Sequence, residues 1–337
     1  MSQQKSKWLK WEFWPFWFFY IPVYVVYLWY SLRSWSMVFF SAANPCMEMG
    51  GFADYSKWKI LSKINPNYLP KGMLFTTESI AEVKPWLESN DLTFPIICKP
   101  DKGERGFGVE KINDEKALEN YLSKIDRDFI VQEYVNYPLE LGIMYSRLPE
   151  AKKGRIHSVV QKEFLSVVGD GESTLKSLFQ KSERTRYHFD MVMAMYHDEL
   201  EEVLPKGKRK ELISIGNHCR GTTFLDGNHL ITQKLVEVFD VIAKPIEGFY
   251  FGRFDLRVTN LDDLYQGENI KIMELNGVNS EPAHIYDPQM PLFKAYKVMF
   301  KHWGIIYRIS SINHRNGVPF EPLWKTVKTV RKHIKSK

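Results

Sequence analysis

Hydrophobic positions along this chain of 337 residues change their period several times. Phe13–Leu32 holds no charged residue over about the length of a bilayer-crossing helix. Beyond it, Ala53–Ile64 has helical spacing and Asn65–Lys71 is a Pro/Asn/Gly breaker. Phe94–Lys99 is a short apolar strand stopped by Pro100. Asp101–Gly108 then forms a glycine-bearing loop, and Val109–Ile112 the returning strand. Asp114–Ile125 predicts an amphipathic helix and Phe129–Tyr134 another strand. Leu139–Leu148 and Ile156–Val168 predict further strands, closed by the turn at Gly169-Asp170-Gly171. Ser173–Gln180 predicts a helix capped by Ser173 or Thr174, and Lys206–Lys210 a basic loop. Ile231–Ile246 is a helix. Phe249–Val258 and Ile270–Asn276 are paired strands joined by a polar hairpin connection at Thr259–Asn269. Strands and helices mix without a regular βαβ repeat, which predicts an α+β fold.

The apolar front is unusual in kind. Eleven of the twenty residues in Phe13–Leu32 are aromatic, and Pro15 and Pro22 interrupt it. Trp and Tyr favour the headgroup interface, where the ring is buried and the polar atom stays wet. No small-residue cleavage site follows, so it does not read as a signal peptide. Lys5, Lys7 and Lys10 precede the segment and Arg33 follows it. A single span would therefore leave the rest of the chain outside. The segment is expected to be a monotopic or re-entrant membrane helix, continued by Ser34–Ala43, with both flanks on the cytoplasmic face. A buried helix is the alternative.

Net charge is +6, but six of the 46 basic residues lie in Lys325–Lys337, a stretch with no acid. The other 40 equal the 40 acidic residues, leaving a formally neutral body. One basic tail suits an anionic membrane surface as well as nucleic acid, and reads equally as a solvated helix. With no RNA-binding aromatic motif beside it, a nucleic-acid partner is not expected. Cys46, Cys98 and Cys219 are far apart, which argues against a zinc site or a disulfide framework.

Three clusters carry chemistry. In the first, Ile96-Ile97-Cys98-Lys99-Pro100 delivers a lysine ahead of the loop Asp101-Lys102-Gly103-Glu104-Arg105-Gly106-Phe107-Gly108, whose amides can turn toward phosphate oxygens. It lacks the GKS/GKT of a Walker A loop. In the second, Arg253-Phe254-Asp255 and Glu274-Leu275-Asn276 sit on successive strands. Residues two apart share a face, so two carboxylates and an amide can form a hard-oxygen site for Mg2+, with a guanidinium beside it. The third is Val131-Gln132-Glu133-Tyr134-Val135, followed by Glu140.

Taken in order, these clusters resemble the ATP-grasp superfamily, especially D-alanine–D-alanine ligase, over about Lys57–Pro288. The resemblance implies two α+β subdomains clamping ATP. Lys57, with Lys59 as its rival, and Lys99 would hold the α- and β-phosphates, and Lys102, Gly103, Gly106 and Gly108 would belong to a mobile loop over the triphosphate. Glu133, Tyr134 and Val135 would line the adenine and Glu140 the ribose. Asp255, Glu274 and Asn276 would bind two Mg2+ ions, with Mn2+ as a substitute. Arg253 would stabilise the transferring phosphoryl group, making Arg253 and Lys99 the catalytic pair. Gly169–Leu175 and Gly216–Gly221 also look like cyanophycin synthetase-type ligases, although Arg220-Gly221 replaces their paired glycines. Arg220 is then a candidate contact for phosphate or a substrate carboxylate. After Asn276 the chain departs from the ligase loop. Glu281 and His284 would face the acceptor, where a carboxylate holds an amine better than a free α-carboxylate.

The expected organisation is a membrane-associated segment at 1–45, a linking helix and strand at 46–75, and a nucleotide lid at 76–138. A catalytic and metal subdomain at 139–310 and a basic tail at 311–337 complete it. The expected activity is ADP-forming ligation of a small-molecule or lipid-linked carboxylate and amine through an acyl phosphate, at the cytoplasmic membrane face. A phosphotransferase of the same superfamily and a non-catalytic, membrane-bound nucleotide-binding protein are the alternatives.

Overall fold

The computed structural model of the protein describes residues 11, 14–103, 106–182, 185–186, 188–212 and 222–335. The chain divides into two compact units, Met1–Gln161 with Asp226–Lys337, and Lys162–Leu225. This division differs from the one expected. The boundaries at 75/76 and 138/139 fall inside the first unit, and the excursion at 162–225 forms a unit of its own.

The aromatic front folds as Phe16–Phe19 (α1) and Ile21–Ser34 (α2). Trp35 takes the left-handed conformation, φ 51°, and ends α2. Ser34–Ala43 therefore does not continue the helix, and only Phe39–Ala42 forms a 3-10 turn. With 14 residues, α2 rises about 21 Å, short of the roughly 30 Å hydrocarbon layer. Among the described residues no helix is long and apolar enough to cross a membrane. Lys57–Leu61 (α3) is shorter than the expected Ala53–Ile64, because Ser56 caps it by accepting from the Lys59 amide.

Gly72–Phe75 (β1), Ile96–Pro100 (β2), Glu110–Ile112 (β3) and Phe129–Glu133 (β4) form an antiparallel sheet in the order β1-β4-β2-β3. Val83–Ser89 (α4) and Glu115–Leu122 (α5) cover it. Phe75, Ile96, Cys98 and Val131 pack there against Val83, Leu87, Leu118 and Tyr121. Leu139–Ser146 (β5) and Arg155–Glu163 (β6) follow.

In the second unit, Ser166–Val168 (β7) pairs with Arg209–Glu211 (β8). The expected strand Ile156–Val168 is thus two strands, and part of the expected basic loop is β8. Leu175–Lys181 (α6), capped by Thr174, and Phe189–Met195 (α7) build the core of this unit around Phe179, Val192 and Leu204.

The chain returns through Thr223–Asp226 (β9) and Gln233–Ala243 (α8) to Phe251–Val258 (β10) and Ile270–Asn276 (β11). The larger sheet has the order β11-β10-β5-β6-β9. Between β10 and β11 the expected hairpin connection is instead Leu261–Gln266 (α9), capped by Asn260 and ended by left-handed Gly267. One sheet face packs on α8, where Leu235, Phe239 and Ile242 meet Leu141, Ile143, Phe254 and Leu256. Met144 and Phe251 instead join a second core with Phe19, Tyr20 and Val23 and with Leu292–Arg315 (α10). Between these two packed regions lies the polar stretch that concerns function. Leu323–Lys335 (α11) gives the basic tail a helical form.

Two contacts fix the front of the unit to the large sheet. Gly50 and Gly51 lie against Gly277, with 2.7 Å from an ideal Cβ on Gly51 to the Gly277 Cα. The fully buried Asn44 side chain donates to the Gly50 and Phe251 carbonyls at 3.0 and 2.8 Å. Its oxygen accepts from the Tyr250 and Phe251 amides, both at 2.9 Å. Asn44→Ala would strand these backbone groups and should cost about 3 kcal/mol of stability. Urea denaturation measures this, and a loss below about 0.5 kcal/mol would contradict the assigned anchoring.

Candidate active site

Antiparallel pairing of β10 and β11 sets the site. Arg253 lies opposite Asn276 and Asp255 opposite Glu274, so all four side chains share one sheet face. Arg253 grips Asp255 with two hydrogen bonds, Nε to Oδ1 at 2.8 Å and Nη2 to Oδ2 at 3.0 Å. Asn276 donates to Asp255 Oδ2 at 3.0 Å and accepts from the Tyr55 hydroxyl at 2.9 Å. Gly142, opposite Asp255 on β5, makes room for this. A Cβ there would lie 2.9 Å from Asp255 Oδ1 and 2.8 Å from a Val160 methyl.

The register shifts between Asp255 and Leu256, which pair with Glu274 and Ile272. Met273 is left as the extra residue of a β-bulge. Its carbonyl accepts from Lys99 Nζ at 2.9 Å, and Gln132 Oε1 accepts from the same ammonium at 3.0 Å. Lys99, on β2, is thus carried by one sheet and bound by the irregularity of the other. Lys57, at the start of α3, reaches Glu274 Oε1 at 2.9 Å and the Gly103 carbonyl at 2.6 Å. Buried Asp101 holds that helix end, with Oδ1 accepting from Ser56 Oγ at 3.0 Å and the Trp58 amide at 2.8 Å. Lys59 pairs instead with Glu48 at 2.6 Å.

Of the other residues named from the sequence, Gly103, Gly106 and Gly108 take φ values of 154°, 71° and 67° in the loop after β2, and Lys102 lies 3.7 Å from Asp54. Glu133 is tied to Lys71, its carboxylate accepting from the Lys71 amide at 3.0 Å. The Tyr134 ring faces Lys111 at 3.9 Å and Arg257 at 5.6 Å. Arg257 donates to the Val135 carbonyl at 2.7 Å and to Glu140 at 2.8 Å. Glu281 accepts from the hydroxyls of Tyr20 and Tyr286, and its carbonyl from Arg253 at 3.1 Å. His284 is buried with Nδ1 2.6 Å from Ser158 Oγ. Arg220, Cys219 and the rest of Gly216–Gly221, like Glu104 and Arg105, lie outside the described residues.

Sequence reasoning passed over Asp101, Gln132, Gly142, Arg257 and the Met273 carbonyl. Only Arg257 carried a visible signal, since it continues the every-second-residue series of Arg253 and Asp255. The rest depend on register or on contacts between distant segments.

Charge decides what the site can hold. Lys57, Lys99 and Arg253 face Asp255 and Glu274, with Asp101 acting on Lys99 and Glu281 on Arg253, so cations and carboxylates are interleaved across the site. Burial pushes the Lys99 ammonium down to about 8, against the pull of Glu274. Burial also resists ionisation of Glu274, yet Lys57 and Lys99 hold its carboxyl down at about 2. Burial works against the Arg253 charge, but Asp255 raises its pKa overall. Among the described residues no group of three or more His, Cys, Asp or Glu forms a metal cage. Two carboxylates and an amide still fit Mg2+, which is commonly held by one or two carboxylates and completed by substrate phosphates.

These environments separate two substitutions. Asp255→Asn leaves the Arg253 guanidinium without its counter-charge in a buried pair and should cost about 3 kcal/mol. Glu274→Gln leaves Lys57 an amide oxygen to bond, in a pair whose side chains are 11% and 31% exposed, and should cost less, about 1.5 kcal/mol. Denaturation curves of the two variants check this order, and equal losses would contradict it.

No protein-family model matches the chain. Over 221 residues it is 26% identical to the glutathione biosynthesis bifunctional protein of Streptococcus mutans, an alignment covering 58% of this chain and 28% of that protein. Among solved structures, a bifunctional glutathione synthetase from Pasteurella multocida is 16% identical with a TM-score of 0.36, over 72% of this chain and 35% of that one. D-alanine–D-alanine ligase from Bacillus anthracis is 14% identical with a TM-score of 0.42, over 78% and 69%. The chain thus spans little more than a quarter of the curated relative and about a third of the glutathione synthetase. The likeness is thus to a glutathione biosynthesis protein in sequence, and to a glutathione synthetase and a D-alanine–D-alanine ligase among solved structures.

Proposed function

We propose that this protein is an ATP-dependent carboxylate–amine ligase that forms a C–N bond and releases ADP and phosphate. The observation that carries this reading is the pairing of Asp255 with Glu274, beside Lys57 and Lys99, on the same sheet face as Arg253. The triphosphate binds over the bulge, where its oxygens replace Glu274 and the Met273 carbonyl as partners of Lys57 and Lys99. Asp255, Glu274 and Asn276 would hold two Mg2+ ions, with Mn2+ able to substitute, and bound metal would neutralise charge on the phosphates.

A carboxylate oxygen of the first substrate attacks the γ-phosphorus, the bond to the bridging oxygen breaks, and ADP leaves. Arg253 is placed to offset the negative charge of the transferring group. The amine nitrogen then attacks the acyl carbon, phosphate departs with the bonding electrons, and the nitrogen loses a proton. Glu281, held by Tyr20 and Tyr286, is the group that receives the amine, while buried His284 is paired with Ser158. The Asp101–Gly108 loop closes over the phosphates and keeps water from the acyl phosphate. The exposed aromatic face of α2 supports action at the cytoplasmic membrane face, on an envelope or lipid-linked substrate.

ADP release across a panel of carboxylates and amines tests this reading. Turnover should need one of each, and ADP formed with a single hydroxyl substrate would overturn ligation in favour of phosphotransfer. Glu274→Gln should lower turnover by about 100-fold or more, and unchanged turnover would remove the catalytic assignment. ATP affinity should fall as pH rises through about 8, where Lys99 loses its charge. Lys99→Arg should remove that inflection in a binding titration.

A further inference from the structure

The front of the chain has two opposite faces. On one, Phe19 stacks on Tyr296 at 5.1 Å, Tyr27 meets Trp303 at 5.1 Å and Tyr30 stacks on Tyr307 at 4.5 Å. These three pairs lay α1 and α2 alongside α10 in the same direction. On the other face, Trp17, Ile21, Val25, Leu28, Trp29 and Leu32 fall within an arc of about 120° at 100° per residue. They are between 47% and 72% exposed. Scattered apolar residues are normal on a surface, whereas a continuous stripe of this kind is not.

The charge around the stripe has one sign. α1, α2, α10 and α11 contain no acidic residue. Exposed Lys294, Lys297 and Lys301 stand on α10, about 100–160° around that helix from the aromatic row. On α11, Leu323, Trp324 and Val327 are also exposed, together with Lys328, Arg331 and Lys332. Lys325 is the exception, paired with Glu321 at 2.9 Å. Aromatic and aliphatic side chains flanked by unopposed Lys and Arg are the pattern of a helix lying in the interface of an anionic bilayer.

We infer that the outer face of α2, with the basic face of α11 as a second contact, docks on an anionic lipid bilayer. The inference rests on the ligase reading for its meaning. The docking helix is continuous with Tyr20, whose hydroxyl is bound to Glu281, and exposed Phe16 stacks on the Tyr20 ring at 4.0 Å. The helical segment that meets lipid therefore also carries, on its buried side, a residue bound at the proposed amine end of the site.

Flotation of the full chain with phosphatidylcholine vesicles, with and without phosphatidylglycerol, tests the docking. The chain should float with the anionic vesicles, less with the neutral ones, and less as salt is raised. Lys328→Gln with Arg331→Gln should weaken binding about 25-fold, from about fivefold per charge. Trp29→Ser with Leu32→Ser should weaken it more than about tenfold, with the melting temperature unchanged because both side chains face outward. Equal binding to both vesicle types, wild-type binding by either double variant, or self-association without vesicle binding would overturn the inference. ATP titration on the same preparations separates the two ideas. ATP binding without flotation sinks docking alone, and flotation without ATP binding sinks the ligase reading alone.

Discussion

A buried ammonium cannot be left without oxygen partners, and that requirement on Lys99 holds the site together. One partner, Gln132, is in its own sheet, and the other is the Met273 carbonyl across the cleft. That carbonyl belongs to the residue of the edge strand β11 that the bulge leaves without a partner in β10. The bulge supplies it, and the same irregularity keeps Glu274 opposite Asp255. The placement of the lysine strand and the pairing of the carboxylates are thus one geometric fact.

The remaining contacts follow from neutralising charge in that cleft. Arg253 turns two of its three nitrogens to Asp255, Lys57 takes Glu274, and Arg257 takes Glu140. Each carboxylate is held ready in a fixed position, at the cost of desolvating its partner. An arriving polyanion would then exchange partners with groups already in place, with little reorganisation. Asp101 and Ser56 serve the same end by fixing the helix start that carries Lys57.

Much of this was legible in the chain itself. Alternation of Arg253 and Asp255 and of Glu274 and Asn276 predicted two strands with chemistry on one face. The β2 lysine followed by glycines was equally plain. Register was not legible, because a one-residue shift reverses the face and nothing local marks Met273 as the extra residue. The aromatic front reads in sequence as a monotopic or re-entrant helix continued by Ser34–Ala43, and the fold adds that one side of it packs on α10 and that Trp35 ends it. The α9 helix was readable in hindsight from Asn260 and Gly267, a cap and a stop with six residues between them.

The bare backbone contact of Gly51 with Gly277 has a consequence for how such a protein can diversify. With no room for a single methyl group between the two segments, neither can drift in sequence or length without the other. A change in the loop after β11 must then be matched in the Gly50-Gly51 turn. The two segments are bound to change as one module, although more than two hundred positions separate them.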